Sequence, residues 1–229
     1  MRRFRNRREA GAALACALSG YAGQDVLVLG LPRGGMPVAF EVARALSAPL
    51  DVLVVRKLGV PGHEELAMGA IASGGSVFLN RDVVDALQID ANQIELVAQH
   101  QALELARREQ LYSNGRPTLD VRGRTVILVD DGLATGSTMR AAATALRQRQ
   151  PGWIVVAVPV GASETCAAMH EVADDVVCVR TPEPLRAVGI WYEEFTQTTD
   201  EEVRNLLAEA SWASQSAGAV GPGNTTPAG

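Results

Sequence analysis

The sequence predicts an α/β fold in which a single domain holds a central, mostly parallel sheet with helices on both faces. Short runs of Val, Ile and Leu alternate along the chain with segments of helical periodicity, which is the pattern of repeated strand–helix units. The apolar runs are continuous, as in parallel strands that are buried on both faces. With 229 residues, of which 47% are hydrophobic and 21% charged, the chain is long enough to bury a full core.

The N-terminus combines five arginines among its first eight residues with an alanine-rich stretch, which superficially resembles an export signal. Glu9, however, lies between the arginines and the alanine-rich stretch, and only Leu14 and Leu18 are strongly apolar before Gly20. We therefore expect an N-terminal helix that packs Phe4, Leu14 and Leu18 into the core.

Strands and helices follow in alternation. A strand at 26–31 leads into a helix at 36–46, whose Pro37 lies in the first turn, where proline is tolerated. Asp90 is a suitable N-cap for a long helix at 91–112. The other predicted strands are 51–55, 126–129, 154–160 and 175–179, with a hairpin of 69–73 and 76–79, and the other predicted helices are 82–87, 139–149, 164–171 and 199–210. Residues 1–210 are expected to form the domain, with a lid loop and hairpin at 56–80 and a C-terminal hood at about 181–210. Residues 211–229, rich in Gly, Ser, Ala and Pro, are predicted to be a disordered tail.

Charge and cysteine content restrict the function classes. The net charge of −5 argues against a nucleic-acid partner, and no apolar run approaches transmembrane length. The three cysteines, Cys16, Cys166 and Cys178, have neither metal-ligand nor paired spacing. They are expected to be buried thiols in a reducing compartment, which predicts a cytoplasmic protein.

The segment 126–138, V-I-L-V-D-D-G-L-A-T-G-S-T, carries the strongest functional signal. Its strand ends at Asp130 and Asp131, and a glycine-containing turn leads into a helix, the geometry that places ligands at the carboxyl ends of strands. The new helix's N-terminus favours an anion, and the candidate phosphate ligands are Ala134, Thr135, Gly136, Ser137 and Thr138. The acids are placed to accept hydrogen bonds from sugar hydroxyls, so the segment fits a ribose 5-phosphate. The alternative is a generic strand-to-helix turn with an acidic cap, which the flanking strand and helix make less favourable.

This order of four apolar residues, two acids and A-T-G-S-T resembles the ribose-phosphate signature of type I phosphoribosyltransferases. The resemblance extends over about 4–207. It implies the fold of that family, an α/β sheet with a small hood and lid. It also implies an N-terminal helix.

A second loop follows the first predicted strand and consists of Leu31, Pro32, Arg33, Gly34 and Gly35. Glycines before a helix let backbone N–H groups approach an anion, and Arg33 offers a bidentate donor fork. The loop resembles the one that holds pyrophosphate in the family. In the family that loop often contains a strained or cis peptide. The Leu31–Pro32 bond is the candidate here, because the free-energy penalty of the cis form is smaller before proline.

The segment R-K-L-G-V-P-G-H-E-E at 56–65 resembles the family's mobile lid, most closely that of adenine phosphoribosyltransferases, but it is shorter. Arg56 and Lys57 are further candidates for the pyrophosphate. Lys57 is the chain's sole lysine against twenty arginines, and a compact ammonium is not equivalent to a guanidinium, so the position is expected to have a special role. Chance is the alternative explanation for a single residue. Glu65, or less favourably Glu64, is a candidate proton-transfer group, although exposed loop carboxylates usually have no such role.

The aromatic segment 188–195 is the candidate base side of the site. Trp191 and Tyr192 form either a wall for a planar base or a core anchor for the C-terminal segment. By resemblance to hypoxanthine–guanine enzymes, Glu193 is a candidate for the magnesium–pyrophosphate, but Arg186 stands where those enzymes have a stacking aromatic. They also have a proton-transferring aspartate where this chain has Ala134, which argues against 6-oxopurine acceptors.

The resemblance thus implies an enzyme of nucleotide salvage, expected to be a homodimer. It would use Mg²⁺ to transfer the phosphoribosyl group of phosphoribosyl pyrophosphate (PRPP) to a nitrogen nucleophile. Asp130, Asp131, Arg33 and Lys57 are the candidate catalytic residues, and the metal is expected through PRPP, with Asp130, Asp131 and Glu193 as possible ligands. The alternative is a non-enzymatic sensor of PRPP or a nucleotide. A PRPP synthetase relative is disfavoured because the chain lacks a second similar domain and a clear ATP site.

Overall fold

The computed structural model of the protein describes residues 2–113 and 119–218, apart from the side chains at 65, 76, 113 and 212–218. Its main sheet has five parallel strands in the order β2-β1-β6-β7-β8. These are β1 (Val26–Gly30), β2 (Leu50–Val52), β6 (Thr125–Val129), β7 (Trp153–Val160) and β8 (Asp175–Arg180). The predicted α/β class with a mostly parallel sheet is confirmed.

The strand order has a direct consequence for the site. Taken in chain order within this sheet, the strands run 2-1-3-4-5, so the direction of winding reverses between β1 and β6. In open α/β sheets the loops on either side of such a switch point diverge and leave a crevice at the carboxyl ends of the strands. The loops after β1 and β6 border this crevice, and they are the two loops that the sequence singled out.

Helices cover both faces of the sheet because alternate strand residues point to opposite sides. On one face, Val28 and Ile127 join a cluster built with α1 (Arg7–Ala17), α2 (Gly35–Leu46), α4 (Ala91–Ser113) and α7 (Asp200–Gly218). On the other, Leu27 and Leu128 join a cluster built with α5 (Ser137–Arg147) and α6 (Ser163–Ala168). The short α3 (Arg81–Ala86) precedes α4, whose predicted cap is present, since Asp90 Oδ1 accepts the N–H groups of Asn92 at 2.7 Å and Gln93 at 3.1 Å.

The segment predicted to be a lid loop is a strand hairpin instead. A second, antiparallel sheet consists of β3 (Val55–Val60), β4 (His63–Ala72) and β5 (Ser76–Leu79), of which only the pairing of 69–73 with 76–79 was predicted. Gly59 permits the pairing of β3 with β4, because a Cβ atom there would lie 2.7 Å from the backbone oxygen of Glu64. A glycine that allows two strands to approach looks, in the sequence alone, like a glycine of an irregular loop.

The two ends of the described chain lie beside the main sheet. Phe4, Leu14 and Leu18 are fully buried, which confirms the packing predicted for the N-terminal helix. The C-terminal helix continues past 210 to Gly218, into the segment predicted to be disordered, and residues 219–229 lie outside the described residues. The extension reads S-W-A-S-Q-S-A-G and contains no proline, so no residue in it blocks continuation of the helix. In the described part of the chain, no helix has the length and apolarity needed to cross a membrane.

The prediction of three buried thiols was wrong. Cys166 on α6 and Cys178 on β8 form a disulfide, and the free Cys16 is exposed on α1. The pair is 12 residues apart in sequence, a spacing that indicates nothing by itself. It is the packing of α6 against the edge strand β8 that brings the two side chains together.

Candidate active site

The loops after β1 and β6 are in direct contact. Gly30 pairs with Val129 at the strand ends, and the N–H of Leu31 donates to the Val129 oxygen at 2.9 Å. A Cβ atom at position 34 would lie 2.8 Å from Asp131 Cγ, and one at position 35 would lie 2.9 Å from Asp130 Cα. The two glycines therefore allow the loop at 31–35 to pack against the acid pair. The sequence-predicted residues of both loops are brought together.

The cis peptide of this loop lies between Pro32 and Arg33, not at the predicted Leu31–Pro32 bond. The N–H of Gly35 donates to Leu31 O at 3.0 Å, and the N–H of Met36 donates to Arg33 O at 3.2 Å. These hydrogen bonds and the contacts with the acids set the shape of the loop. The intrinsic cis preference of proline, on which the prediction depended, does not decide it.

Asp130 and Asp131 share a site that is unfavourable to two negative charges. Burial in the cleft raises the pKa of Asp130 well above its usual value, and the neighbouring charge of Asp131 raises it further. Burial also raises the pKa of Asp131, against the opposing effect of the Arg7 guanidinium. A positive charge placed beside the pair would therefore be stabilised strongly.

Arg7 is a site residue that the sequence interpretation missed. Its Nε donates to Asp131 Oδ2 at 2.9 Å, its Nη1 donates to the backbone oxygen of Thr196 at 2.7 Å, and its guanidinium lies 4.0 Å from the ring centre of Phe195. Only 12% of its side chain is exposed. In the sequence it is one of five arginines in an N-terminal cluster, and no local signal separates it from the others.

The predicted phosphate loop leads into helix α5, which begins at Ser137. Gly136 has φ 71°, a left-handed conformation that suits glycine, and the side chains of Thr135, Ser137 and Thr138 are exposed. Unpaired N–H groups of a first helical turn and exposed hydroxyls form the kind of environment that binds an anion.

Helix α6 packs against this phosphate loop and supports it. Thr165 Oγ1 donates to the backbone oxygen of Ala134 at 2.8 Å. A Cβ atom at Gly136 would lie 2.6 Å from the Thr165 methyl group and 2.9 Å from Met169 Cε, so the loop packs closely on the helix. Thr165 is a second residue that the sequence did not indicate.

The aromatic segment lies over the acid pair. Tyr192 is buried, its ring lies 5.0 Å from that of Phe195 and 5.8 Å from that of Phe4, and its hydroxyl donates to Asp131 O at 2.6 Å. This arrangement corresponds to the core-anchor alternative for Tyr192. Trp191 is half-buried and Glu193 is exposed.

The remaining candidates lie farther out. Arg33 Nη1 is 4.0 Å from Asp200 Oδ2 at the start of α7. Arg56 and Lys57 belong to β3 and line a cavity of about 580 Å³ against α4, where Arg56 Nε donates to Gln101 Oε1 at 2.9 Å. Glu65 is in β4, but its side chain lies outside the described residues. The predicted roles of these residues remain predictions.

Fold and site together define a class: an α/β protein whose candidate site lies at the switch point of an open parallel sheet. Comparison with known proteins specifies the family. Residues 6–194 match the phosphoribosyl transferase domain, so the chain belongs to the phosphoribosyltransferase family.

Two relatives and one solved structure illustrate the similarity. A Mycobacterium tuberculosis H37Rv protein named "Putative phosphoribosyl transferase" is 47% identical over 220 residues, 96% of this chain and 50% of that protein. The chain thus spans half the length of that relative. A ribose-phosphate pyrophosphokinase of Methanopyrus kandleri is 32% identical over 68% of this chain and 62% of its own length. The crystal structure of the protein TT1426 from Thermus thermophilus is 44% identical, with a TM-score of 0.85 over 91% of this chain and 99% of that chain.

Proposed function

We propose that this protein transfers the 5-phosphoribosyl group from Mg²⁺-bound PRPP to a nitrogen nucleophile and releases pyrophosphate. The observation that carries this proposal is the direct contact of the two switch-point loops. Gly34 and Gly35 pack against Asp131 and Asp130, and the exposed N-terminus of α5 follows the same acids. A ligand with a phosphate on one side of a ribose and a pyrophosphate on the other fits this arrangement of groups.

The chain's own residues account for the charge changes in such a reaction. As the bond from ribose C1 to pyrophosphate breaks, positive charge develops on the ribose ring, next to the half-buried acid pair. Asp130 and Asp131 would stabilise that charge in the transition state more than in the ground state, because their site lacks a full counter-charge in the free protein. The backbone of 31–35 and Arg33 would receive the leaving pyrophosphate.

The donor set fits Mg²⁺ held largely through the substrate. Carboxylate oxygens of Asp130 and Asp131 are hard ligands of the type that Mg²⁺ prefers, and Mg²⁺ commonly binds through one or two carboxylates plus substrate phosphates. Among the residues that the structure describes, no group of three or more Asp, Glu, His or Cys side chains could hold a metal. When bound, the metal would supply positive charge to the pyrophosphate oxygens.

The acceptor is expected not to be a 6-oxopurine. Ala134 lies exposed at the start of the phosphate loop and carries no group that could exchange a proton with a purine ring. The short hairpin of β3 and β4 is consistent with an acceptor that is either adenine, used as a poor substrate, or a less common nitrogen compound.

The test is calorimetric titration with ribose 5-phosphate and with PRPP plus Mg²⁺, followed by pyrophosphate-release assays over a panel of bases. We expect binding of both ligands, and no turnover of hypoxanthine or guanine. Efficient turnover of either base would contradict the argument from Ala134. A failure to bind PRPP would refute the proposed function itself.

The role of the acids is tested by Asp131→Asn, which keeps the side-chain shape and removes the charge. We expect a much larger fall in turnover than in affinity for ribose 5-phosphate, since the charge acts mainly in the transition state. An increased KM with unchanged kcat would show that Asp131 contributes only to binding.

A further inference from the structure

Arg7 is fixed where it can act on one carboxylate. It is the first residue of α1, whose start is capped by the Asn6 side chain accepting the N–H of Glu9 at 3.1 Å. The helix packs tightly on α2, because a Cβ atom at Gly11 would lie 3.1 Å from Val38 Cα. The backbone at Arg7 is thereby held by the core, and its side chain reaches the site with little freedom.

The guanidinium occupies one oxygen of Asp131 and leaves the other available. Arg7 Nε donates to Oδ2, whereas Oδ1 accepts no hydrogen bond from any residue that the structure describes. A carboxylate that is held at one oxygen has a defined orientation. Its second oxygen then points in a fixed direction and can still accept a hydrogen bond from a ligand hydroxyl.

The same arginine belongs to a closed circuit of contacts around Asp131. Arg7 stacks on Phe195, Phe195 stacks on Tyr192, and the Tyr192 hydroxyl donates to the backbone oxygen of Asp131. Arg7 also holds the hood backbone through Thr196 O. Side chain and backbone of Asp131 are thus both fixed from the N-terminal helix and the hood.

We propose that Arg7 is a positioning residue that orients the Asp131 carboxylate so that Oδ1 accepts a hydroxyl of the bound ribose. This inference depends on the proposed function, because it assigns Asp131 to a ribose. Arginine suits the role since its planar fork donates to two acceptors while its face stacks on an aromatic ring. A lysine at the same position would retain the charge but not all three contacts.

The probes are ribose 5-phosphate and inorganic phosphate, titrated calorimetrically into the full chain. Arg7→Met should weaken ribose 5-phosphate binding about 10-fold, the order expected for a lost charge-assisted hydrogen bond, while phosphate binding stays within about twofold. Arg7→Lys should recover part of the loss. The matched control is Arg5→Met, whose side chain is 66% exposed and pairs with Glu9 on the surface, and it should leave both affinities unchanged.

A double-mutant cycle tests whether Arg7 acts through Asp131. In the Asp131→Asn background, Arg7→Met should cause less than about a twofold further loss of ribose 5-phosphate affinity, because coupled residues are non-additive. Should Arg7→Met fail to fold, Arg7→Lys is compared in both backgrounds instead, with the same expected non-additivity.

Three results would overturn the inference: unchanged ribose 5-phosphate binding in Arg7→Met, an equal loss of phosphate binding, or full additivity with Asp131→Asn. A wild-type protein that binds neither probe would instead refute the proposed function. The two failures are therefore distinguishable.

Discussion

Gly34→Ala should impair ligand binding with little loss of stability. The backbone at Gly34 has φ −61° and ψ −34°, which alanine adopts readily, so the effect arises from the new methyl group alone. That methyl group would overlap Asp131 Oδ2, its nearest neighbour, and would lie 2.8 Å from Asp131 Cγ, whereas ordinary contacts begin at 3.4 Å. The carboxylate must therefore move by more than about 0.6 Å. Such a shift stretches the 2.9 Å hydrogen bond from Arg7 out of its favourable range.

The expected magnitude follows from that displacement. A hydrogen bond to a charged group contributes about 1.5–3 kcal/mol, so losing the bond between the displaced carboxylate and a ribose hydroxyl should lower the affinity for ribose 5-phosphate by roughly 10- to 100-fold. Stability should fall by only about 1 kcal/mol, because the displaced atoms are the end of a side chain and the weakened hydrogen bond from Arg7 is the main interaction lost. Calorimetric titration and denaturant unfolding measure the two effects separately.

The neighbouring glycine gives the opposite result and serves as a comparison. A methyl group at position 35 would lie 2.7 Å from Val129 O and 2.9 Å from Asp130 Cα, both backbone atoms of a buried strand end. Gly35→Ala should therefore destabilise the fold by roughly 1–3 kcal/mol. Gly20→Ala, where the added atom meets nothing within 4 Å, is the neutral control. Wild-type affinity in Gly34→Ala, or wild-type stability in Gly35→Ala, would refute the packing argument.

Three further predictions concern the surroundings of the site. Thr165→Val should remove the hydrogen bond to Ala134 O and weaken phosphate binding several-fold in calorimetry, while unchanged binding would mean that α6 does not support the loop. Lys57→Ala should impair pyrophosphate-dependent steps, and Lys57→Arg should rescue only part of the activity, as measured by pyrophosphate release. Full activity in the arginine variant would show that the lysine has no special role. Tyr192→Phe should lower the free energy of unfolding by about 1–2 kcal/mol because the Asp131 carbonyl loses its donor, and an unaltered denaturation midpoint would contradict this contact.

Much of the fold could be predicted from the sequence because its information is local. The runs at 26–31, 126–129, 154–160 and 175–179 correspond to parallel strands, since unbroken apolar residues specify burial on both faces. The cap at Asp90 was also predictable, because a capping side chain acts on residues two or three positions away.

The errors have a common physical origin. The strand predicted at 51–55 ends at Val52, and Val55 starts a strand of the second sheet. Val54 pairs with Ser73, a residue 19 positions away, so a distant contact decides where the chain leaves the main sheet. The predicted lid loop is a hairpin for the same reason, since glycine and proline signals do not distinguish an irregular loop from closely paired strands.

For the candidate site, the sequence by itself determined the chemical components. Order and spacing in 126–138 placed two acids after a buried strand and a phosphate loop before a helix, and the glycines of 31–35 identified the opposing loop. These are properties of contiguous residues, in which strand end, turn and helix start are fixed by neighbours in the chain.

Only the tertiary structure decided how those components are held. Arg7 is 124 residues from Asp131, Thr165 is 31 residues from Ala134, and Tyr192 is 61 residues from the carbonyl that it contacts. Cys166 and Cys178 likewise meet because a helix packs on an edge strand. Such contacts depend on the path of the whole chain through the core. A single sequence gives the residue types available for a site, while the packing of distant elements selects which of them meet.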